Sequence, residues 1–269
     1  LAARPERARD AMNSFSAFEN NAVIVHGAGR SYGDQALPVE DGRAILTERL
    51  NRITAFDQDT GNVTCEPGVN FRTLLRTFVP KGFGLPVTPG TAFATMGGGL
   101  ANDVHGKNHD VAGSFGDHVV SFDLILPDGT PKTVTAESEP ALFKATVGGA
   151  GLTGFVTSIT LTLPKIEGDC VHRREIRIKD LDDYLDTYAV ENSNGTPYLV
   201  GWIDGTARGK NLGRGVLEAA SPSPETLDKP RGGDITVPLD FPSFSLNSLS
   251  VKAFNAVYLR RVPQKGREA

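Results

Sequence analysis

Residues 86–119 read "PVTPGTAFATMGGGLANDVHGKNHDVAGSFGDHV", with glycines at 90, 97–99, 106, 113 and 116 interleaved with three of the chain's five histidines. Three readings compete for this stretch: a metal site, a cluster of catalytic bases, or the wall of a pocket for something larger. His105 and His109 stand four apart, the spacing at which two imidazoles share a zinc when both lie on one helix face. Gly106 and Asn108 disfavour that helix, no glutamate fills the general-base position, and Lys107 would set a positive charge beside the metal. No metal is expected here. The glycines carry the stronger signal, because bare backbone is needed wherever the chain must approach a ligand closely.

The same signal recurs outward from this stretch. Thirty of 269 residues are glycine, about 11% against a usual share of roughly 7%. They gather at 27–33, 97–99, 113–116 and 148–154, each beside an apolar segment, rather than spreading as in a flexible linker. "NAVIVHGAG" is a short strand running into a turn, and "AILTERLNRITAF" and "NVTCEPGV" continue in strand-like runs. "NFRTLLRTFVPKG" has Phe71, Leu74, Leu75 and Phe78 at helical spacing behind Asn70 as N-cap. "VVSFDLILPDGTPKTVT" is a hairpin turning at Pro127-Asp128-Gly129. "PALFKATVGG" reads as a short helix into a glycine turn. "GFVTSITLTLP" alternates Phe155, Thr157, Ile159, Leu161 and Leu163 on one face of a half-buried strand. Residues 5–20 form an amphipathic lead-in.

After Pro164 the texture changes. Strands "REIRI" and "PYLVGWID" flank a helical "DLDDYLDTYAV", and 221–243 is rich in Pro, Ser and Gly, so a boundary is placed near 165–170. The length accommodates one large domain or two modest ones. A hydrophobic share of 39% and a charged share of 22% fit a water-soluble globular chain. The net charge of −4, without a basic run, argues against nucleic acid as partner. Cys65 and Cys170 lie far apart, which favours a reducing compartment. No apolar stretch approaches the roughly 20 residues that span a bilayer. The start at Leu1 suggests that a leader or disordered segment precedes it.

"GRSYG" at 29–33 matches the nucleophile elbow of serine hydrolases around Ser31, but the elbow needs a helix directly after the serine. Gly33, Pro38 and "VEDG" follow instead. "GAGRSYG" also fails the dinucleotide fingerprint, in spacing and in the absence of a following helix, and no phosphate-cradling P-loop exists. Consecutive N–H groups of such a turn can still form an anion-binding nest, with Arg30 and Ser31 as extra donors. Several glycine turns after strands therefore suit one long, flat, phosphate-bearing ligand, and a flavin dinucleotide fits that description.

"HGAGRSYGD", residues 86–119, "SFDLILPDG" and "ATVGGAGLTGFVTSITLTL", in that order over about residues 20–165, resemble the FAD-linked oxidases of the vanillyl-alcohol oxidase superfamily. The nearest resemblance is to members that oxidise a polyprenyl-phosphate pentose. The resemblance implies an α+β fold: a two-lobed PCMH-type FAD-binding domain at 1–165, then a partial antiparallel-sheet substrate domain at 166–269. The family's C-terminal return segment is expected to be missing from this chain. It also implies that His26, Gly27, Ala28, Gly29, Arg30, Ser31, Tyr32, Gly33 and Asp34 form a first pyrophosphate loop. Gly90, Thr95, Gly97 and Gly98 would form a second. Asn102, Asp103 and His105 would line the flavin ring, Val156 would pack against the cofactor, and Tyr32, His105 and Lys107 would face substrate as catalytic residues. His109 and His118 are read as structural. Arg30 stands where tethering relatives carry a histidine, so FAD is expected to be held non-covalently.

The implied activity is oxidation of a secondary sugar hydroxyl, the 2'-position of a polyprenyl-phosphate pentose, within cell-wall polysaccharide biosynthesis. The implied partners are a small or lipid-linked sugar and a reductase that completes an epimerisation. The implied location is cytoplasmic, at a membrane surface. The alternatives are another FAD-linked alditol or sugar oxidase, a hydrolase using Ser31, and a non-catalytic flavin- or glycan-binding module.

Overall fold

Apolar residues clustered along 119–125 and 155–163 build two adjacent strands of a five-stranded antiparallel sheet. The computed structural model describes residues 2–17, 22–226, 242, 245–263 and 266–268, and its contacts divide the chain into one unit at Leu1–Ile166 and another at Glu167–Ala269.

The first unit has two lobes. In the smaller, β1 (Ala2–Ala3), β2 (Val23–His26) and β3 (Arg43–Leu46) form a parallel sheet in the order β1-β3-β2, with α1 (Ala8–Ala17) following β1. Its core is Ala11, Ile45, Leu50, Ile125 and Phe155. In the larger, β4 (Ile53–Phe56), β5 (Asn62–Cys65), β6 (Val119–Ile125), β7 (Pro131–Val134) and β8 (Phe155–Thr162) form the antiparallel sheet β4-β5-β8-β6-β7. The helices α2 (Phe71–Phe78), α3 (Met96–Ala101), α4 (His109–Ala112) and α5 (Pro140–Thr146) belong to this lobe. The two lobes make the α+β architecture that the motifs imply.

Helix α2 forms as its cap and spacing predict. Asn70 accepts from the Thr73 N–H at 2.8 Å, and Phe71, Leu74 and Phe78 are buried. The hairpin turns where expected, with Gly129 at φ +84. Strand β8 differs from its expected single face. Ser158 pairs with Asp123 but Val156 pairs with Leu124, so Thr157 is an extra residue and the register shifts. The bulge reverses the facing of the strand. Ile159 and Leu161 therefore enter the larger core, while Phe155 enters the smaller. One strand thus serves both lobes of the unit.

The second unit is a four-stranded antiparallel sheet, β10-β11-β9-β12, of β9 (Cys170–Ile178), β10 (Tyr198–Ile203), β11 (Gly215–Ser223) and β12 (Arg267–Glu268), with α6 (Leu181–Ser193) and α7 (Ser248–Arg260). Asp180 caps α6 by accepting from the Asp183 N–H at 3.0 Å. Strand β11 runs into the stretch read as Pro/Ser-rich, and α7 lies beyond it; most of 221–243 falls outside the described residues. The carboxylate of Asp204 organises this unit. It is fully buried and accepts from Arg214 (3.0 and 2.7 Å), Thr206 (2.7 Å) and Asn255 of α7 (2.7 Å). No helix among the described residues is long and apolar enough to cross a membrane.

Candidate flavin site

Three chain segments converge in the first unit on one cavity of about 450 Å3. The first leaves β2 at His26 and runs to Ala36 without a helix, so Ser31 lacks the strand–turn–helix setting of a hydrolase nucleophile. His26 closes this loop: its Nδ1 donates to the Ala36 carbonyl at 2.8 Å, and its own carbonyl accepts from Thr47 N–H at 3.0 Å. Gly29 and Gly33 adopt φ +60 and +69, which a side chain would oppose. Among the described residues, the N–H groups of Ala28, Gly29, Arg30 and Ser31 donate to no backbone carbonyl. They are free for a ligand anion.

The second segment brings Pro89, Gly90, Thr91, Ala94 and Thr95 to the wall and continues into α3. Gly97 and Gly98, expected in a loop, lie with Gly99 inside that helix, capped by the Thr95 hydroxyl accepting from the Gly98 N–H at 3.2 Å. Close packing explains glycine here. A Cβ on Gly97 would sit 2.8 Å from Pro67, and one on Gly99 would sit 3.0 Å from the Phe71 ring. Gly27 lets the first segment touch the second, because its Cβ would stand 2.6 Å from Thr95 Oγ1. The third segment docks on the end of α3 through Gly148 N–H to the Leu100 carbonyl (2.9 Å) and Ala150 N–H to the Ala101 carbonyl (2.8 Å). It adds Ala150, Gly151 and Gly154 to the lining, with Ala150 at φ +53.

The residues present fit a flavin dinucleotide. Ile24, Val25, Val104 and Val156 give apolar wall for a ring system, and unpaired N–H groups stand ready for a pyrophosphate. At Gly90 and Gly151 a Cβ would meet no protein atom within 4 Å; Gly151 also adopts φ +76, which favours glycine on its own, so it is at Gly90 that bare backbone keeps space open. Among the described residues Arg30 is the one charged residue in the lining, and it is cationic.

The expected residues divide in two. Gly27 through Tyr32, Gly90, Thr95, Gly97, Gly98, Asn102 and Val156 line the cavity. His26, Gly33, Asp34, Asp103, His105 and Lys107 do not. Asp103 is a brace: at φ +42 its carboxylate accepts from the Gly116 N–H at 2.8 Å. In "HGKNH" the burial alternates. Gly106 and Asn108 point inward, with Asn108 Nδ2 donating to the Pro86 carbonyl at 2.7 Å, and His105, Lys107 and His109 are exposed. His105 bridges to Ser114 and meets the His109 ring edge-on at 5.7 Å, and the two imidazoles do not share a helix. His118 donates from Nε2 to the Ala112 carbonyl at 2.7 Å, a structural role. The glycine cluster at 148–154 was noted in the sequence, but Ala150, Gly151 and Gly154 were not assigned to the cofactor there.

Comparison with known proteins agrees with this geometry. Residues 2–135 match the FAD binding domain family. The chain is 36% identical over 206 residues to decaprenylphosphoryl-beta-D-ribose oxidase of Mycolicibacterium smegmatis, covering 74% of this chain and 43% of that protein. It is 28% identical over 146 residues to D-lactate dehydrogenase of Archaeoglobus fulgidus, covering 52% and 33%. Among solved structures, an alkyldihydroxyacetonephosphate synthase aligns with TM-score 0.69 at 15% identity, covering 82% of this chain and 47% of that one. The BBE-like 1 protein of Physcomitrella patens aligns at 0.67 and 18% identity, covering 81% and 48%. The chain spans less than half the length of each of these four proteins.

Proposed function

Over residues 2–135 this chain belongs to the FAD binding domain family, and on that premise we propose that it is part of an FAD-dependent oxidoreductase that oxidises a secondary hydroxyl of a sugar. The substrate we infer is a polyprenyl-phosphate pentose, oxidised at its 2'-position. The observation that carries the reading is the convergence of three glycine-bearing segments on one cavity, whose lining among the described residues offers unpaired N–H groups and Arg30 as its one charged side chain. The 36% identity to a decaprenylphosphoryl-ribose oxidase supports the choice of substrate class.

Bound FAD supplies the acceptor for the hydride that leaves the carbinol carbon. The protein's part is binding, orientation and charge. The N–H groups of residues 28–31 would donate to phosphate oxygens, and Arg30 would offset their charge. Val104 and Val156, both in the cavity lining, would exclude water from the ring. Tyr32 lines the cavity yet is 98% exposed, so its phenol is available to a substrate hydroxyl. Lys107, exposed beside His105, offers a point charge for the substrate phosphate. We assign Tyr32, His105 and Lys107 to orientation of the substrate hydroxyl and its phosphate.

A reductase partner that completes an epimerisation and a cytoplasmic site at a membrane surface belong to the same proposal, since a lipid-phosphate sugar is presented there. The test is anaerobic mixing of the full-length, FAD-loaded protein with polyprenyl-phosphoryl ribose, with an unphosphorylated alditol, and with D-lactate. The flavin absorbance is expected to bleach with the first and persist with the other two. Bleaching by the alditol or by lactate alone would replace the substrate class.

A further inference from the structure

At the rim of the same cavity, one aromatic ring carries two guanidinium groups. Arg30 Cζ lies 5.4 Å from the Phe93 centroid and Arg72 Cζ lies 5.2 Å from it. The ring is firmly held. Arg72 N–H donates to the Ala92 carbonyl at 2.8 Å and Phe71 N–H to the Ala94 carbonyl at 3.1 Å, so the start of α2 grips the backbone on both sides of Phe93. Thr91 Oγ1 accepts from the Phe93 N–H at 3.3 Å. Phe93 is 44% exposed, so its ring is accessible from solvent.

A long arginine side chain at a surface samples many rotamers, and a fixed aromatic face restricts them by cation–π attraction. Among the described residues Arg30 is the only charged side chain in the cavity lining, and Arg72, which is not in that lining, packs on the same ring. We propose that Arg30, Phe93 and Arg72 form a stacked cationic rim that receives a phosphate group at the cavity, with Arg30 as the binding group and Phe93 and Arg72 as positioning residues. The proposal rests on the flavin reading above. The phosphate belongs either to the FAD pyrophosphate or to a phosphorylated substrate, and the shared chemistry is a phosphate oxygen meeting a pre-oriented guanidinium.

The test uses the full-length protein and the variants Phe93→Leu, which keeps bulk but removes the π face, Phe93→Trp, which restores it, and Arg72→Gln. Circular dichroism checks that each folds. FAD and riboflavin are titrated into flavin-stripped protein. Inorganic pyrophosphate and ribose 5-phosphate are titrated into FAD-loaded protein. If the phosphate is the cofactor's, Phe93→Leu and Arg72→Gln weaken FAD about tenfold, riboflavin is unaffected, and Phe93→Trp recovers affinity. If it is the substrate's, FAD affinity holds while the phosphate probes weaken about tenfold in the same two variants. Unchanged affinities throughout, or equal losses of FAD and riboflavin, overturn the proposal and make the stack merely structural. Should the unaltered protein bind no FAD, the flavin reading fails separately. The phosphate probes on the flavin-free protein then decide: loss of their binding in Phe93→Leu supports the rim, and retention overturns it.

Discussion

At Gly98 the missing side chain is what the cavity uses. A Cβ there would stand 3.2 Å from Thr95 Oγ1, in the lining itself. Gly98→Val adds a branched side chain at that point and is expected to weaken FAD by about 100-fold, roughly 2.7 kcal/mol, in a protein that still folds. Titration by flavin fluorescence measures it, and full flavin occupancy in Gly98→Val would remove this glycine from the site. Lys107 poses the opposite case, an exposed charge outside the lining. Lys107→Ala is expected to leave FAD content intact and to slow flavin reduction by a phosphorylated sugar about tenfold. Stopped-flow kinetics indistinguishable from the parent's would return Lys107 to an ordinary solvated lysine. Asp103 illustrates where residue-level reading stops. Its neighbours in sequence suggested a place beside the ring, but its backbone conformation and its bond to Gly116 make it a brace.

Elements were legible where local chemistry determines them. Asn70 and the 71-74-78 spacing specify α2, and Pro127-Asp128-Gly129 specifies the hairpin. Helix α3 was not legible, because three consecutive glycines are poor helix formers. Only contact with Pro67, Phe71 and Phe115, distant in sequence, shows why nothing larger fits. The bulge at Thr157 was hidden for a similar reason, since the alternation looks continuous until its partner strand is known. The glycine segments of the cavity were readable because bare backbone at strand ends has a local signature, but their convergence was not.

In the second unit, Asp204 links β10 to β11 and α7 through partners ten and fifty-one residues away, which no local pattern announces. Burial alone would push its carboxyl up, but hydrogen bonds from Thr206, Arg214 and Asn255 outweigh burial and hold it well below the usual carboxylate range. A depressed pKa contributes stability that is present above the unfolded value of about 3.9 and is lost as pH falls below it. Urea midpoints are therefore expected to decline below about pH 4 in the parent and more shallowly in Asp204→Ala. That variant should also be about 3 kcal/mol less stable near neutrality. Parallel pH profiles would contradict the role given to Asp204.

For the molecule as a whole, the claim is that a two-lobed fold exists to bring three bare backbone segments around one flavin. Arg30, at the place where the resemblance implies a histidine in tethering members, lines the cavity and cannot form that linkage, while His105 lies outside the lining. FAD is thus expected to dissociate completely on acid denaturation, with all yellow colour leaving in the small-molecule fraction. Colour retained on the polypeptide would point to a covalent link. The most direct test comes first, from the visible absorption spectrum of the purified full-length protein after reconstitution with FAD and removal of unbound cofactor. Flavin bands near stoichiometric strength are predicted, and a folded protein that emerges colourless would contradict the account.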